Sequence, residues 1–245
     1  MSTRGRYIQG NSYYFDDALS PAIGTSLWES CPMLPWLCDP SIMQHYFEDF
    51  TAFPKATDTW ILTQATTGTG VAGAGPGGVL TIDAGAVTDG QGVNLQLAGI
   101  DFLPAAGKHI WFECRVKVSE VTGDLFFGLS EIDSTIVASS DMSTSNHIGF
   151  SSFTGDSIML CDSNNATTRV HTLVGGTLVA ATYAKLGFYV NGVTDITFWF
   201  NGVPNATKIL TADIPVVGLT PSMVVHATGV QTVATVDWIR CAQLR

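Results

Sequence analysis

Glu131-Ile132-Asp133 is the sharpest chemical candidate in this sequence. Paired carboxylates are what cleavage of a glycosidic bond requires, one as nucleophile and one as proton donor, about 5–5.5 Å apart when configuration is retained. The plainer reading is an acidic strand end running into a turn. Asp162-Ser-Asn-Asn165, with Asp141 and Asp156, offers oxygen ligands of the kind Ca²⁺ takes. Six or more must converge to hold the ion, and a polar Asp/Asn stretch reads first as a turn. The five histidines, His45, His109, His147, His171 and His226, form neither HxH nor HExxH spacing. No Gly-x-Ser-x-Gly elbow is present to aim a serine nucleophile. The residues therefore call for no cofactor and no bound metal.

Cys114, Cys161 and Cys241 sit in strand-like runs and read as buried thiols, small hydrophobes with no chemistry. Cys31 and Cys38 flank Pro-Met-Leu-Pro-Trp-Leu and could close a small loop or supply half a metal site, but the spacing is no CxxC pattern. Asn165-Ala-Thr and Asn205-Ala-Thr match the glycosylation pattern. Behind Met1-Ser-Thr-Arg-Gly-Arg there is no apolar stretch of a secretory signal, so both are expected to stay bare.

Charge excludes one class of partner. The net charge is −10, split as two arginines against six acids in residues 1–50 and nine basic against fifteen acidic residues in 51–245. Phosphate backbones and anionic lipids are bound by clustered Lys and Arg, so neither nucleic acid nor membrane is expected as a direct partner. No apolar run approaches the length of a spanning helix. Assembly in a cytoplasm is the expectation.

The elements that would position these residues divide the chain at residue 50. Residues 1–50 hold four of the six tyrosines and two tryptophans without a sustained period. They read as an extended, mostly irregular arm, with a short helical turn or two over Pro40–Phe47 and Ser41 as its N-cap. Tyr7, Tyr13, Tyr14, Phe15, Trp28 and Trp36 are its candidate partner-binding residues, since aromatic side chains carry large contact area at low entropic cost. Docking on another subunit is the expectation, and folding back on the chain's own domain is the alternative. Residues 51–245 alternate apolar and polar positions in about a dozen runs, such as Thr194-Asp-Ile-Thr-Phe-Trp-Phe, and no helical stripe interrupts them. Asn191-Gly192 and Asn201-Gly202 predict two-residue type I′ hairpins, and glycine-rich Gly68–Gly78 predicts a flexible tip. The expected fold is an all-β antiparallel sandwich of two packed sheets.

The order of features resembles a known family. Tyr46-Phe-Glu-Asp-Phe, Trp111-Phe-Glu-Cys-Arg-Val-Lys-Val, Leu125-Phe-Phe-Gly-Leu-Ser-Glu, Leu186-Gly-Phe-Tyr-Val-Asn-Gly, Thr197-Phe-Trp-Phe-Asn-Gly-Val and Val236-Asp-Trp-Ile-Arg are similar to the concanavalin A-like lectin/glucanase jelly roll, over about residues 46–245. Glucanases of this fold resemble the Glu131 motif but read Glu-x-Asp-x-Glu or Glu-x-Asp-x-x-Glu. Here the second glutamate position is Thr135 or Ile136, and neither can protonate a leaving group, so no enzyme is expected. More narrowly, the chain is similar to tailed-bacteriophage structural proteins that carry this jelly roll behind an N-terminal arm. That similarity implies a virion component, a capsid decoration or minor capsid protein present in many copies, with the major capsid protein as partner. The alternative it implies is a lectin-like module for host-surface glycans. An exposed Trp199 would stack on a sugar ring in such a module, although its strand is apolar enough to read as core.

Overall fold

The computed structural model describes residues 3–8, 11–16, 27–28, 31, 39–51, 59–85, 87–99, 101–138, 141–153 and 155–245, with the backbone alone for the first two stretches. Among these residues twenty strands follow in chain order: β1 Thr3–Ile8, β2 Asn11–Asp16, β3 Met43–Glu48, β4 Trp60–Ala65, β5 Thr69–Gly73, β6 Val79–Asp83, β7 Gly92–Leu97, β8 Ile110–Val118, β9 Asp124–Ser130 and β10 Val137–Ala138. The remainder are β11 Asp141–Met142, β12 His147–Ser152, β13 Ile158–Asn164, β14 Arg169–Thr177, β15 Ala184–Val190, β16 Asp195–Phe200, β17 Val203–Pro204, β18 Ile209–Leu210, β19 Thr220–His226 and β20 Val233–Leu244. A single turn of 3-10 helix at Thr211–Asp213 is the only helix among the described residues, and none there is long and apolar enough to cross a membrane.

Two antiparallel sheets carry the fold. A seven-stranded sheet runs β14-β13-β12-β9-β19-β7-β4, and a nine-stranded sheet runs β17-β16-β15-β8-β20-β6-β5, with β18 on β16 and β3 on β20. The inward residues of both fill one core with Trp60, Leu95, Phe112, Phe127, Phe150, Phe188 and Phe198. Phe112 stacks on Phe188 at 4.8 Å and Phe150 meets Phe198 edge-on at 5.2 Å, the two geometries aromatic pairs favour. The expected all-β sandwich is the observed one.

Strand β20 shows how the nine-stranded sheet is built. It pairs with β8 along its length, and on its other side first with β6 and then with β3. The register slips between Val236 and Trp238, leaving Asp237 as an extra residue. A bulge of this kind switches faces: Ala234 and Val236 point into the core before it, Ile239 and Cys241 after it. Trp238 is thereby turned to the outer face.

Four local expectations change. Residues 43–48 form a strand and not helical turns, because the half of β20 beyond β6 leaves an edge for them; only a turn at Asp39 precedes it, with the Ser41 N–H donating to the Asp39 carboxylate at 2.9 Å. Trp60 Nε1 donates to Tyr46 Oη at 3.1 Å, which ties this strand to the sandwich ahead of the compositional boundary at residue 50. The mostly irregular arm contains a hairpin, β1 paired antiparallel with β2 from Thr3 opposite Asp16 to Ile8 opposite Asn11. The glycine-rich tip contains edge strand β5 paired to β6, and Gly73 allows the approach, since a Cβ there would stand 2.9 Å from Val79 and Thr81. Asn201-Gly202 makes the two-residue hairpin, with φ of 52° and 79° between Phe200 and Val203. Asn191-Gly192 instead opens a four-residue turn, closed by Thr194 N–H donating to Asn191 C=O at 2.9 Å.

Candidate functional site

Leu125, Phe127 and Leu129 face the core, so Phe126, Gly128 and Ser130 of β9 face outward. By the same alternation Asn94 and Gln96 of β7 and Ser222, Val224 and His226 of β19 line that outer face of the seven-stranded sheet. Residues 131–138 and 141–146 fold back over it. Ile136, Val137 and Met142 bury themselves on Phe126 and Val224, a second small core outside the sheet. Gln96 fixes the base of this loop: its Nε2 donates to the Glu131 carbonyl at 2.9 Å and to Ser130 Oγ at 3.0 Å, while its Oε1 accepts the Asp133 N–H at 2.9 Å.

Glu131 and Asp133 serve this loop. Glu131 Oε2 accepts the backbone N–H and side-chain amide of Asn146 at 3.0 and 2.7 Å. Asp133 accepts the Thr135 N–H at 2.8 Å and the hydroxyls of Ser143 and Ser145 at 3.1 and 2.5 Å. Partial burial raises the Asp133 carboxyl, but the hydrogen bonds from Ser145, Thr135 and Ser143 outweigh it and hold the group below the ordinary range. Of the two candidate positions for a second glutamate, Ile136 is buried on Phe126 and Thr135 lines the groove described next.

Between this loop and edge strand β4 lies a groove of about 360 Å³, walled by Thr63, Gln64, Asn94, Thr135, Val137 and His226. Gly92 lets the wall close up, since a Cβ there would stand 2.7 Å from the His226 ring. Burial holds the His226 imidazole below its ordinary range against the opposing charge of Asp89, which keeps it neutral near pH 7 and able to donate from one nitrogen and accept at the other. Asn94 is 4% exposed; its Nδ2 donates to the Asp133 carbonyl at 2.7 Å, and its Oδ1 is buried without a hydrogen-bond partner. A buried polar atom left unpaired costs about 1–3 kcal/mol. That signal was absent from the sequence, where Asn94 is one polar residue in Val-Asn-Leu-Gln-Leu.

Of the acidic residues weighed as calcium ligands, Asp156 accepts the Ile158 N–H at 3.1 Å and the other two meet a side chain. Asp162, fully buried, accepts Arg169 Nε at 2.9 Å and Nη2 at 2.7 Å, and Arg169 Nη1 reaches Asp141 at 2.6 Å. His147 Nε2 lies 3.0 Å from Asp162 Oδ1, and Ser151 Oγ donates to Oδ2 at 2.7 Å. Burial raises the Asp162 carboxyl, yet Arg169 and His147 together drive it far below the ordinary range. This serine, histidine and aspartate are not a catalytic relay, because the serine bonds the carboxylate and the other imidazole nitrogen faces the Ser145 carbonyl. No group of three metal-ligating side chains occurs among the described residues. Both sequon asparagines are engaged, Asn205 Nδ2 donating to the Val174 carbonyl at 2.6 Å and Asn165 Oδ1 accepting the Thr168 N–H at 2.8 Å.

The aromatic residues of the arm separate. Tyr7, Tyr13, Tyr14 and Phe15 lie on the hairpin, with Arg6 opposite Tyr13 and Arg4 opposite Phe15. Trp36 and Cys38 fall outside the described residues. Trp28 lies on the chain's own sandwich: its Nε1 donates to Glu113 at 2.8 Å and Arg240 stacks over its ring at 3.9 Å. With Leu27 and Cys31 it forms a strap across Trp111, Trp199 and Ala242 on the outer face of the nine-stranded sheet. Trp199 is therefore buried under the strap, neither an open sugar platform nor part of the core between the sheets. Burial pushes the Cys31 thiol up to about 11 against the influence of Arg240.

No family model matches the sequence, and no curated protein matches it. Solved structures do. Peanut lectin bound to a nine-residue peptide superposes with a TM-score of 0.57 at 11% identity, covering 83% of this chain and 98% of the lectin. An endo-1,3-β-glucanase from Streptomyces sioyaensis gives 0.55 at 12% identity over 88% and 99% of the two chains. The Emp47p carbohydrate recognition domain gives 0.55 at 9% identity over 83% and 97%. With two antiparallel sheets in a sandwich and neighbours of this kind, the chain has the jelly-roll fold of concanavalin A-like lectins and glucanases.

Proposed function

We propose that the protein is a non-catalytic, lectin-like carbohydrate-binding module whose ligand sits in the groove between β4 and the 131–146 loop. The observation that carries this reading is the unpartnered Asn94 Oδ1 in the groove wall, beside His226, Thr63 and Thr135. Sugar hydroxyls donate and accept at short range, and such a wall offers both roles. Glu131 and Asp133 are committed to the loop by Asn146, Ser143 and Ser145, which favours binding over hydrolysis. The test is a glycan array followed by calorimetry on the best hit with Asn94→Leu and Thr135→Phe. The first removes the acceptor and the second fills the groove, and each is expected to weaken binding at least about tenfold, the worth of one well-placed hydrogen bond or of a blocked site. No turnover of β-glucans is expected. Turnover that Glu131→Gln abolishes would overturn the non-catalytic reading.

The hairpin favours a second reading. Among the described residues, strands β1 and β2 pair with each other and with no strand of the sandwich, and an isolated two-stranded hairpin is marginal in water. It would gain stability on a partner, through Tyr7, Tyr13, Tyr14 and Phe15, as the capsid decoration or minor capsid component of a virion assembled in a host cytoplasm. A chain lacking residues 1–26 should then fold but no longer sediment with shells of the major capsid protein; undiminished co-sedimentation would refute this docking mode.

A further inference from the structure

Beyond the strap, the outer face of the nine-stranded sheet carries a concentration of positive charge. Cys114, Val116 and Val118 of β8 face the core, so Arg115 and Lys117 project outward, two residues apart on one face. The register sets Lys185 of β15 directly opposite Arg115. Like charges in that relation repel unless an anion lies between them. The Tyr183 ring holds the group together, with the Arg115 guanidinium 4.0 Å and Lys117 Nζ 4.9 Å from its centroid. Trp238 stands on the other side of Arg115, on β20. The bulged Asp237 pairs with Arg115, while neither Lys117 nor Lys185 makes an ion pair among the described residues. In a chain of 21 acidic against 11 basic residues, two cations thus lie over one tyrosine and a third, Lys185, stands across the register from one of them, with Asp237 paired to Arg115.

We propose that this patch binds an anionic polysaccharide, its carboxylate or sulfate groups seated between Lys185, Arg115 and Lys117 and its rings against Tyr183 and Trp238. Strand addition, one way of docking an extended peptide, is closed here because β15, β8 and β20 are paired on both sides. Charge and aromatic faces remain, which suit a polymer recognised through side chains alone. The patch lies on the opposite sheet from the groove and stands whether or not the groove binds sugar.

The experiment titrates the full chain with polygalacturonate and with dextran sulfate, taking neutral dextran and polyglutamate as comparators, at low and moderate salt. Binding to at least one anionic polysaccharide is expected, weakening as salt rises. Lys117→Gln with Lys185→Gln should reduce affinity about tenfold, as expected for two exposed charge-assisted contacts. Tyr183→Leu should reduce it several-fold and Asn94→Leu should leave it unchanged. The double substitution removes the Lys185 repulsion, so its thermal midpoint should hold or rise, which separates lost binding from lost fold. Unchanged affinity in the double variant, no binding of either polyanion at low salt, or polyglutamate binding equally well and independently of Tyr183 would each overturn the proposal.

Discussion

Asp162 shows most plainly how a residue's role depends on partners distant in sequence. It lies fully buried with Arg169, His147 and Ser151 around it. Removing one member of such a set leaves a buried charge uncompensated, so Asp162→Asn should cost about 3–5 kcal/mol, read as a lower urea midpoint at unchanged slope. The pH dependence has a definite sign. The folded carboxyl sits far below its unfolded value of about 3.9, so its contribution is fully present above that value and is lost as pH falls through it toward the folded one. The wild-type urea midpoint should decline below about pH 4, and Asp162→Asn should flatten that decline; equal slopes in both proteins would refute the assignment. The sequence marked Glu131, Asp133, Asp141 and Asp162 as residues able to do chemistry. It did not reveal their employment, because Asn146 and Ser143 reach Glu131 and Asp133 through the fold of a loop that no periodicity specifies, and Arg169 reaches Asp162 across the β13–β14 pair.

At the scale of elements, the central strands were legible and the edges were not. Runs such as Lys185-Leu-Gly-Phe-Tyr-Val alternate because both sheets press one face into a common core. Strands β3 and β5 were hidden because an edge strand needs only one partner and little burial, and glycine or a capped turn disguises it. The strap was equally hidden, although Gly187 marks it in retrospect: a Cβ there would stand 2.5 Å from Leu27 Cδ2. Opening of the strap can be followed at Cys31, whose thiol is buried and pushed up to about 11. In a Cys38→Ser background at pH 8, Cys31 should react with a thiol reagent far more slowly than a free cysteine. Trp28→Ala, which removes the bond to Glu113 and the stacking on Arg240, should speed that reaction at least about tenfold, as the loss of a charge-assisted hydrogen bond implies. Equal rates in the two proteins would show that the strap is not held by Trp28.

As a whole molecule, the chain is a jelly-roll sandwich whose two outer faces have been treated differently. The nine-stranded sheet is capped at one end by the strap and basic at the other. The seven-stranded sheet is covered in part by the loop that carries Ile136, Val137 and Met142, and the groove lies between that loop and β4. Charge on the chain is sparse, 13% of residues, and the polar side chains of the groove wall, Thr63, Gln64, Asn94 and Thr135, are uncharged. The central claim is that this groove binds sugar without cleaving it. Its most direct measurement is an amide chemical-shift titration of the ¹⁵N-labelled protein with the strongest glycan from an array. The expected result is saturable shifts clustered at Thr63, Asn94, Thr135 and His226 with the glycan recovered intact; shifts confined to other surfaces, or a cleaved glycan, would contradict it.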